Sequence, residues 1–459
     1  MESHDVLVIG AGVAGLAAGW ALDQKACVLE AEARPGGLVK TEKLKEYWFD
    51  HVLHLLHLSD PPTEKKLKEL MGPMLVACPP EAWVECSAGT ARYPIQNHLG
   101  TLDPDAVQRI LSDFRQESMR EDAAMPTSHR EMLLRTFGRS LCEIFFFPYH
   151  QKVWKRSLES LSPTGFQWNI ARPDLEEVER GAQLLGETDS NPYPPELYNH
   201  NGWYPRSTSD DTLRGMELLT REMVKKVDDL RVLHRVVDID CNRQRVRLKT
   251  PNGESLFHYR DACVATLPLP NLLRICSGVP KKLRNSIDQL EFNRVRSVMI
   301  GIRGPRPKDP GLWRYYADES LVFSRLAFMT EFDPLMAPED GFGILAEITE
   351  RGDEVEQPDS EVIERVVSDL KRLALVKDSD QIECTKVLSV SPAYVVFSDA
   401  TRGLMEEAQS FFLQHGIHLL GRYGRWEYSS IESVIRDGLA CGASILEAAE
   451  SQRVGAERG

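Results

Sequence analysis

Gly10, Gly12 and Gly15 stand at G-x-G-x-x-G spacing, just after the apolar run Asp5-Val-Leu-Val-Ile9 and just before the apolar stretch Leu16 to Leu22. Glycines at those intervals permit a tight strand-to-helix turn and let a pyrophosphate approach the backbone, its charge seated at the helix N-terminus. Glu30 follows twenty residues after Gly10, at the end of a second strand-like run that begins at Ala26. A carboxylate there can accept both hydroxyls of a ribose. Strand, glycines, helix, strand and acid in register specify a dinucleotide-binding βαβ unit, which the glycines alone would not. His51, His54 and His57 recur every three residues, but no Asp/Cys ligand cluster accompanies them, so no metal site is read here. P-loop spacing and a G-x-S-x-G elbow are both absent from the sequence.

Such residues need a scaffold, and 459 residues leave room for two or three domains. Hydrophobic residues at 42% and charged ones at 27% are ordinary for a soluble globular protein. A net charge of −14 argues against nucleic acid as a partner, because phosphate contacts demand a basic surface. A local basic pocket for a small anion stays compatible with it. Nine cysteines, odd in number and without C-x-x-C spacing, fit free thiols in a reducing compartment. With no leader-like N-terminus and no apolar stretch long enough to span a bilayer, the expected location is cytoplasmic.

From about 103 to 185 the apolar positions fall at helical spacing, as in Met132 to Phe137 and Leu141 to Phe145. A helix at about 212–226 then precedes strand-like runs at Val232 to Asp240, Arg245 to Lys249 and Ala262 to Leu267, with a hairpin signal at Asn252-Gly253. Val298 to Arg303, Leu321 to Met329 and Phe342 to Thr349 read as strands of a further sheet, and Glu361 to Leu375 as an amphipathic helix. Ile417 to Gly421 reads as a returning strand, followed by a helix from about Ser433 to Ala449. The fold class is therefore α/β, a Rossmann-type domain closed by segments near both ends around a helical insert and a second mixed β-sheet domain.

Arg34-Pro-Gly36-Gly37, just past Glu30, resembles FAD enzymes of the amine-oxidase superfamily. Later blocks resemble, in order, the flavin-dependent UDP-galactopyranose mutases within that superfamily, which also includes protoporphyrinogen-oxidase-like proteins. Tyr93-Pro-Ile-Gln96-Asn97 is similar to a uridine-holding Y-P-F-Q-N, and Phe147-Pro-Tyr149-His150-Gln-Lys-Val-Trp154 to R-P-Y-N-x-K-V-W. Trp168-x-x-x-Arg172 resembles a pair whose arginine grips the diphosphate. Trp313-Arg-Tyr315 with Phe323-Ser-Arg325 resembles a segment bearing the second diphosphate arginine, and Tyr394 a further substrate tyrosine. Gly421-Arg422-Tyr-Gly-Arg-Trp-Glu-Tyr428 is similar to G-R-F-G-x-W-x-Y, where the arginine touches flavin and the tyrosine touches the diphosphate.

That resemblance implies 1–100, 196–290 and 396–459 as parts of an FAD domain, 101–195 as the helical insert and 291–395 as the substrate-side sheet. It places non-covalent FAD on Gly10, Gly12, Ala14, Gly15, Glu30, Ala31, Arg34, Gly36, Gly37 and Leu38. Farther along the chain it adds His54, Val236, Gly421, Arg422, Tyr428 and Ser433. The substrate, a nucleotide-sugar, would meet Tyr93, Gln96, Tyr149, Trp154, Arg172, Trp313, Tyr315, Arg325, Tyr394 and Tyr428. His54, Arg172 and Arg325 would be catalytic. The implied reaction is attack by reduced flavin N5 on the anomeric carbon of a sugar-nucleoside diphosphate, with NAD(P)H a candidate reductant; the alternative is an FAD-dependent oxidase, dehydrogenase or desaturase. Physical chemistry runs the same way: a diphosphate in an acidic protein calls for guanidinium forks, and a uracil ring calls for an aromatic face.

The pattern departs from that family in three places. Val52 and Leu53 stand where a G-G-H turn carries glycines, with His54 at the histidine position. A β-branched residue resists positive φ, so the loop is expected to be stiffer. Ser207-Thr-Ser-Asp210-Asp211 replaces a glycine-rich segment, and Glu432-Ser433 replaces an Asn-Gln pair expected to face substrate or flavin.

Overall fold

A computed structural model describes residues 1–119, 124–163, 174–183, 201–207 and 212–457. The first sheet is built around the strand Glu2–Ile9, which pairs in parallel with Ala26–Leu29 on one side and with Gly253–Ala265 on the other. Asp229–Arg231 extends it beyond Ala26–Leu29, and Ile417–Leu419 also joins Gly253–Ala265 in parallel. Arg235–Asp240 and Arg245–Thr250 add an antiparallel meander. Parallel central strands are buried on both faces, and the run Val6 to Ile9 is apolar and fully enclosed accordingly.

The helix Val13–Leu22 packs along Ile431–Glu457. Close approach is possible because Gly438 and Gly442 face it: an added Cβ would lie 2.6 Å from the Ala17 Cβ and 2.7 Å from the Ala21 Cβ. No described helix is long and apolar enough to cross a membrane.

The second sheet runs in the order Gln381–Val395, Phe292–Arg303, Gly341–Arg351, Arg325–Phe328, Trp313–Tyr316, Ala82–Cys86, Gly89–Arg92. The helix Asp359–Arg372 seals one face through Val362, Val366 and Leu370. Residues 82–92, read from sequence within the first cofactor segment, thus hydrogen-bond into this sheet. The run Leu321 to Met329 is strand only at Arg325–Phe328. Gln381–Val395 escaped the sequence reading, since Pro392, Glu383 and Lys386 break its apolar pattern.

The insert region supplies the helices Pro104–Ser118, His129–Leu141, Phe147–Trp154 and Leu175–Gln183. Their buried faces share one continuous core with both sheets, running from Val8 through Phe137 and Trp154 to Ala327.

Candidate active site

At the C-terminal ends of the first sheet's parallel strands, the glycine turn has the geometry its motif implies. Gly10 has φ +98°, and a Cβ on Gly15 would lie 1.8 Å from the Gly10 carbonyl oxygen. Gly12, the N-cap of Val13–Leu22, bridges to Gly36, and a Cβ on Gly37 (φ +59°) would stand 3.1 Å from the Gly12 Cα. Gly10 with Gly15 and Gly12 with Gly37 therefore bring backbone against backbone, at approaches a side chain would block. The helix they open carries no acid in its first turn and no side-chain cap, leaving its positive end available to an anion. Glu30 is buried beside this turn. Its Oε2 accepts from the Ala11 amide at 2.8 Å and its Oε1 from the Glu32 amide at 2.9 Å, which fixes the carboxylate. Ala14 is buried against Gly421, whose Cβ would come within 2.7 Å of the Ala14 Cβ. An adenine dinucleotide fits this donor set and shape.

Other residues expected there are placed less directly. Ala31 and Val236 are half-buried nearby, with the His234 amide donating to the Glu30 carbonyl. Arg34 is engaged by Glu42 and lies 3.5 Å from Glu217. Leu38 and Val52 pack against a small apolar cluster of Val295, Val390 and Ala393. Ser433 donates its Oγ to the Ser430 carbonyl at 2.9 Å at the start of Ile431–Glu457.

Beyond the cradle, residues from distant segments converge. Tyr315 lies 5.2 Å from Tyr93 and 5.4 Å from Tyr149, centroid to centroid, and 6.5 Å from Trp313. Tyr394 stacks on Tyr428 at 5.9 Å, with Trp154 edge-on to both. Gln96 is buried on the short turn Ile95–Asn97. The Arg422 guanidinium sits 4.1 Å over the Tyr428 ring, donates to the Ala393 carbonyl at 3.0 Å, and leaves a buried Nε without a protein partner. Arg325 interacts electrostatically with Tyr149, Tyr315 and Tyr394. Arg172, Trp168, Asp210 and Asp211 lie outside the described residues.

His54, half-buried, lies within electrostatic reach of both arginines. Burial, then the nearby charges of Arg422 and Arg325, push its imidazole down to about 3, so it is neutral at physiological pH. Its Nδ1 is buried without a partner. The two neighbouring histidines turn to separate partners: His51 Nε2 to Glu42 at 2.8 Å, and His57 Nδ1 to the Asn201 carbonyl at 2.6 Å.

Three carboxylates at the site were not singled out for these roles from the sequence. Glu347 holds Arg325, its Oε2 accepting from Nε at 2.8 Å. Asp50 accepts from Tyr204, Thr41 and the Met216 amide, yet full burial raises it to about 6. Glu432 accepts from the Ser59 and Asp60 amides at 2.6 and 2.8 Å and pins the chain after His57. A single acid inside an apolar strand, as in Ile344-Leu-Ala-Glu347-Ile-Thr349, was the one available signal for Glu347.

The fold is shared with known flavoproteins. A structure of reduced UDP-galactopyranose mutase superposes with a TM-score of 0.86 at 21% identity, covering 97% of this chain and 96% of that one. A protein of Exiguobacterium sp. 255-15, provisionally named a protoporphyrinogen oxidase, gives 0.70 at 16% identity over 98% and 99%. Putrescine oxidase bound to putrescine gives 0.63 at 18% over 97% and 99%. At such identities the likeness speaks for the fold. The sequence model of the flavin-containing amine oxidoreductases matches residues 13–446, nearly the whole chain. The chain belongs to the flavin-containing amine oxidoreductase family.

Proposed function

We propose that the protein is an FAD-dependent, nucleotide-sugar mutase-like enzyme acting on a sugar-nucleoside diphosphate. Reduced FAD, when bound, would supply a nucleophilic N5 for displacing the nucleoside diphosphate from the anomeric carbon, with NAD(P)H as the proposed reductant. Gly10, Gly12, Gly15, Gly36, Gly37 and Glu30 would hold its adenine dinucleotide half; Arg422 and His54 would line the flavin side.

The observation that carries the reading is the charge balance of the aromatic chamber. Among the described residues, the charges that act most strongly on Tyr394 are Arg325, Glu347 and Arg422, two guanidiniums against one carboxylate. That surplus attracts a diphosphate and repels a protonated amine. The Tyr149, Tyr394 and Tyr428 hydroxyls, raised by burial, stay protonated and remain donors for phosphate oxygens. Neutral His54 adds no charge to oppose them. Arg172 is proposed as a second phosphate-binding cation, and the packed rings exclude water from the reacting centre.

An FAD-dependent oxidoreductase is the second reading. It is favoured by Val52 and Leu53, which sit in the loop beside His54 without positive φ and with Val52 packed.

Calorimetric titration of the FAD-loaded protein with UDP, oxidised and dithionite-reduced, separates the two readings. Submillimolar binding is expected, with Arg325→Ala weakening it by about 10- to 100-fold through loss of a charge-assisted fork. Silence in both redox forms, together with anaerobic bleaching of the flavin by an amine, would rule the mutase reading out.

A further inference from the structure

Glu347 lies directly opposite Arg325 across the antiparallel pair Arg325–Phe328 and Gly341–Arg351, and it is buried. Both of its oxygens are committed. Oε2 takes Arg325, 2.8 Å from Nε and 2.5 Å from Nη2, while Oε1 accepts the Leu53 amide at 3.1 Å. Leu53 immediately precedes His54. One carboxylate therefore joins a guanidinium of the chamber to the backbone that carries the flavin-side histidine.

We propose that Glu347 is a positioning residue that couples Arg325 to the His54 loop, so that engagement of an oxyanion by Arg325 is felt at the Leu53 amide. The proposal rests on the reading above, in which Arg325 faces the substrate diphosphate. A buried carboxylate is tolerable only while paired, and Arg325 is the cation that pairs it. An oxyanion that draws on the same guanidinium weakens that pairing and shifts Glu347, which changes what the Leu53 amide has to donate to. Neighbouring backbone has little freedom to absorb the shift: no residue from 50 to 58 has positive φ, and Val52 is packed against the Val295, Val390 and Ala393 cluster. Glu347 hydrogen-bonds to both partners.

The test is amide hydrogen exchange at Leu53 in the FAD-loaded protein without nucleotide, comparing wild type, Glu347→Gln, Arg325→Ala and Arg325→Lys. Glu347→Gln and Arg325→Ala are each expected to speed exchange about tenfold or more, as a charge-assisted acceptor is weakened. Arg325→Lys keeps the charge and is expected to restore protection to within about threefold of wild type. Unaltered exchange in a folded Arg325→Ala protein overturns the coupling, because that variant leaves the Glu347 carboxylate that accepts the Leu53 amide chemically intact and needs no folded Glu347→Gln for its interpretation. A parallel UDP titration keeps the two claims apart. Absence of UDP binding removes the proposed substrate, while the Arg325→Ala exchange rate still decides the coupling.

Discussion

At the scale of single residues, chemistry here depends on a few charges fixed by backbone amides. Glu30 accepts from two of them, so either oxygen loses an acceptor role if the side chain becomes an amide. Glu30→Gln is expected to leave the Ala11 or Glu32 amide facing a donor, at a cost of about 1–3 kcal/mol. Flavin retained after gel filtration, read as the ratio of flavin to protein absorbance, should fall sharply; full retention would show that the carboxylate does not set the cradle. The glycine turn and Glu30 were legible because a fixed spacing encodes them. Arg325, Arg422 and the tyrosines came instead from resemblance, since a scattered arginine carries no spacing signal. Glu347, Asp50 and Glu432 escaped assignment for the same reason: a buried acid is defined by partners up to hundreds of positions away, and only folding brings Leu53 to Glu347.

Helices and strands were legible where their period was clean. The helix Asp359–Arg372 and the strand Gly341–Arg351 show plain amphipathic or apolar runs. The 15-residue strand Gln381–Val395 does not, although it carries Tyr394 into the chamber and supplies the Ala393 carbonyl to Arg422. Its register against Phe292–Arg303 shifts twice, so alternation is interrupted at those points. In the pair of Val13–Leu22 with Ile431–Glu457, Gly438 is a tight constraint: a side chain there would strike Ala17 and the Ala14 carbonyl, at 2.6 and 2.9 Å. Gly438→Val is expected to destabilise the protein by about 1–3 kcal/mol through overpacking. Because Val13–Leu22 opens at Gly12, the same change should loosen flavin binding. A thermal midpoint equal to wild type, with normal flavin content, would contradict this account of the helix pair.

At the scale of the whole molecule, burial of neutral histidines makes stability depend on pH. His129 and His150 are both enclosed, 2.7 Å apart from Nε2 to Nδ1; burial lowers His129 to about 4 and holds His150 well below its ordinary value. In the unfolded chain each takes up a proton near pH 6.5. As pH falls below that value the unfolded state gains protons that the folded state refuses. Stability then drops by about 1.4 kcal/mol per pH unit for each such histidine, down to its folded value. His150→Asn should remove roughly one such increment from the slope of urea-unfolding free energy between pH 7 and 5. Identical slopes in the two proteins would sink this prediction.

The pairing of the first sheet also bears on how the protein is made. Glu2–Ile9 takes Gly253–Ala265 as its neighbour, and that strand in turn takes Ile417–Leu419. During synthesis the amino-terminal strand must wait, solvent-facing on one edge, until some 250 further residues have left the ribosome. The layer is completed only once Ile417–Leu419 has followed. Sequence separations of that size slow folding and expose unpaired edges to aggregation, so holdase chaperones should raise the yield of soluble protein.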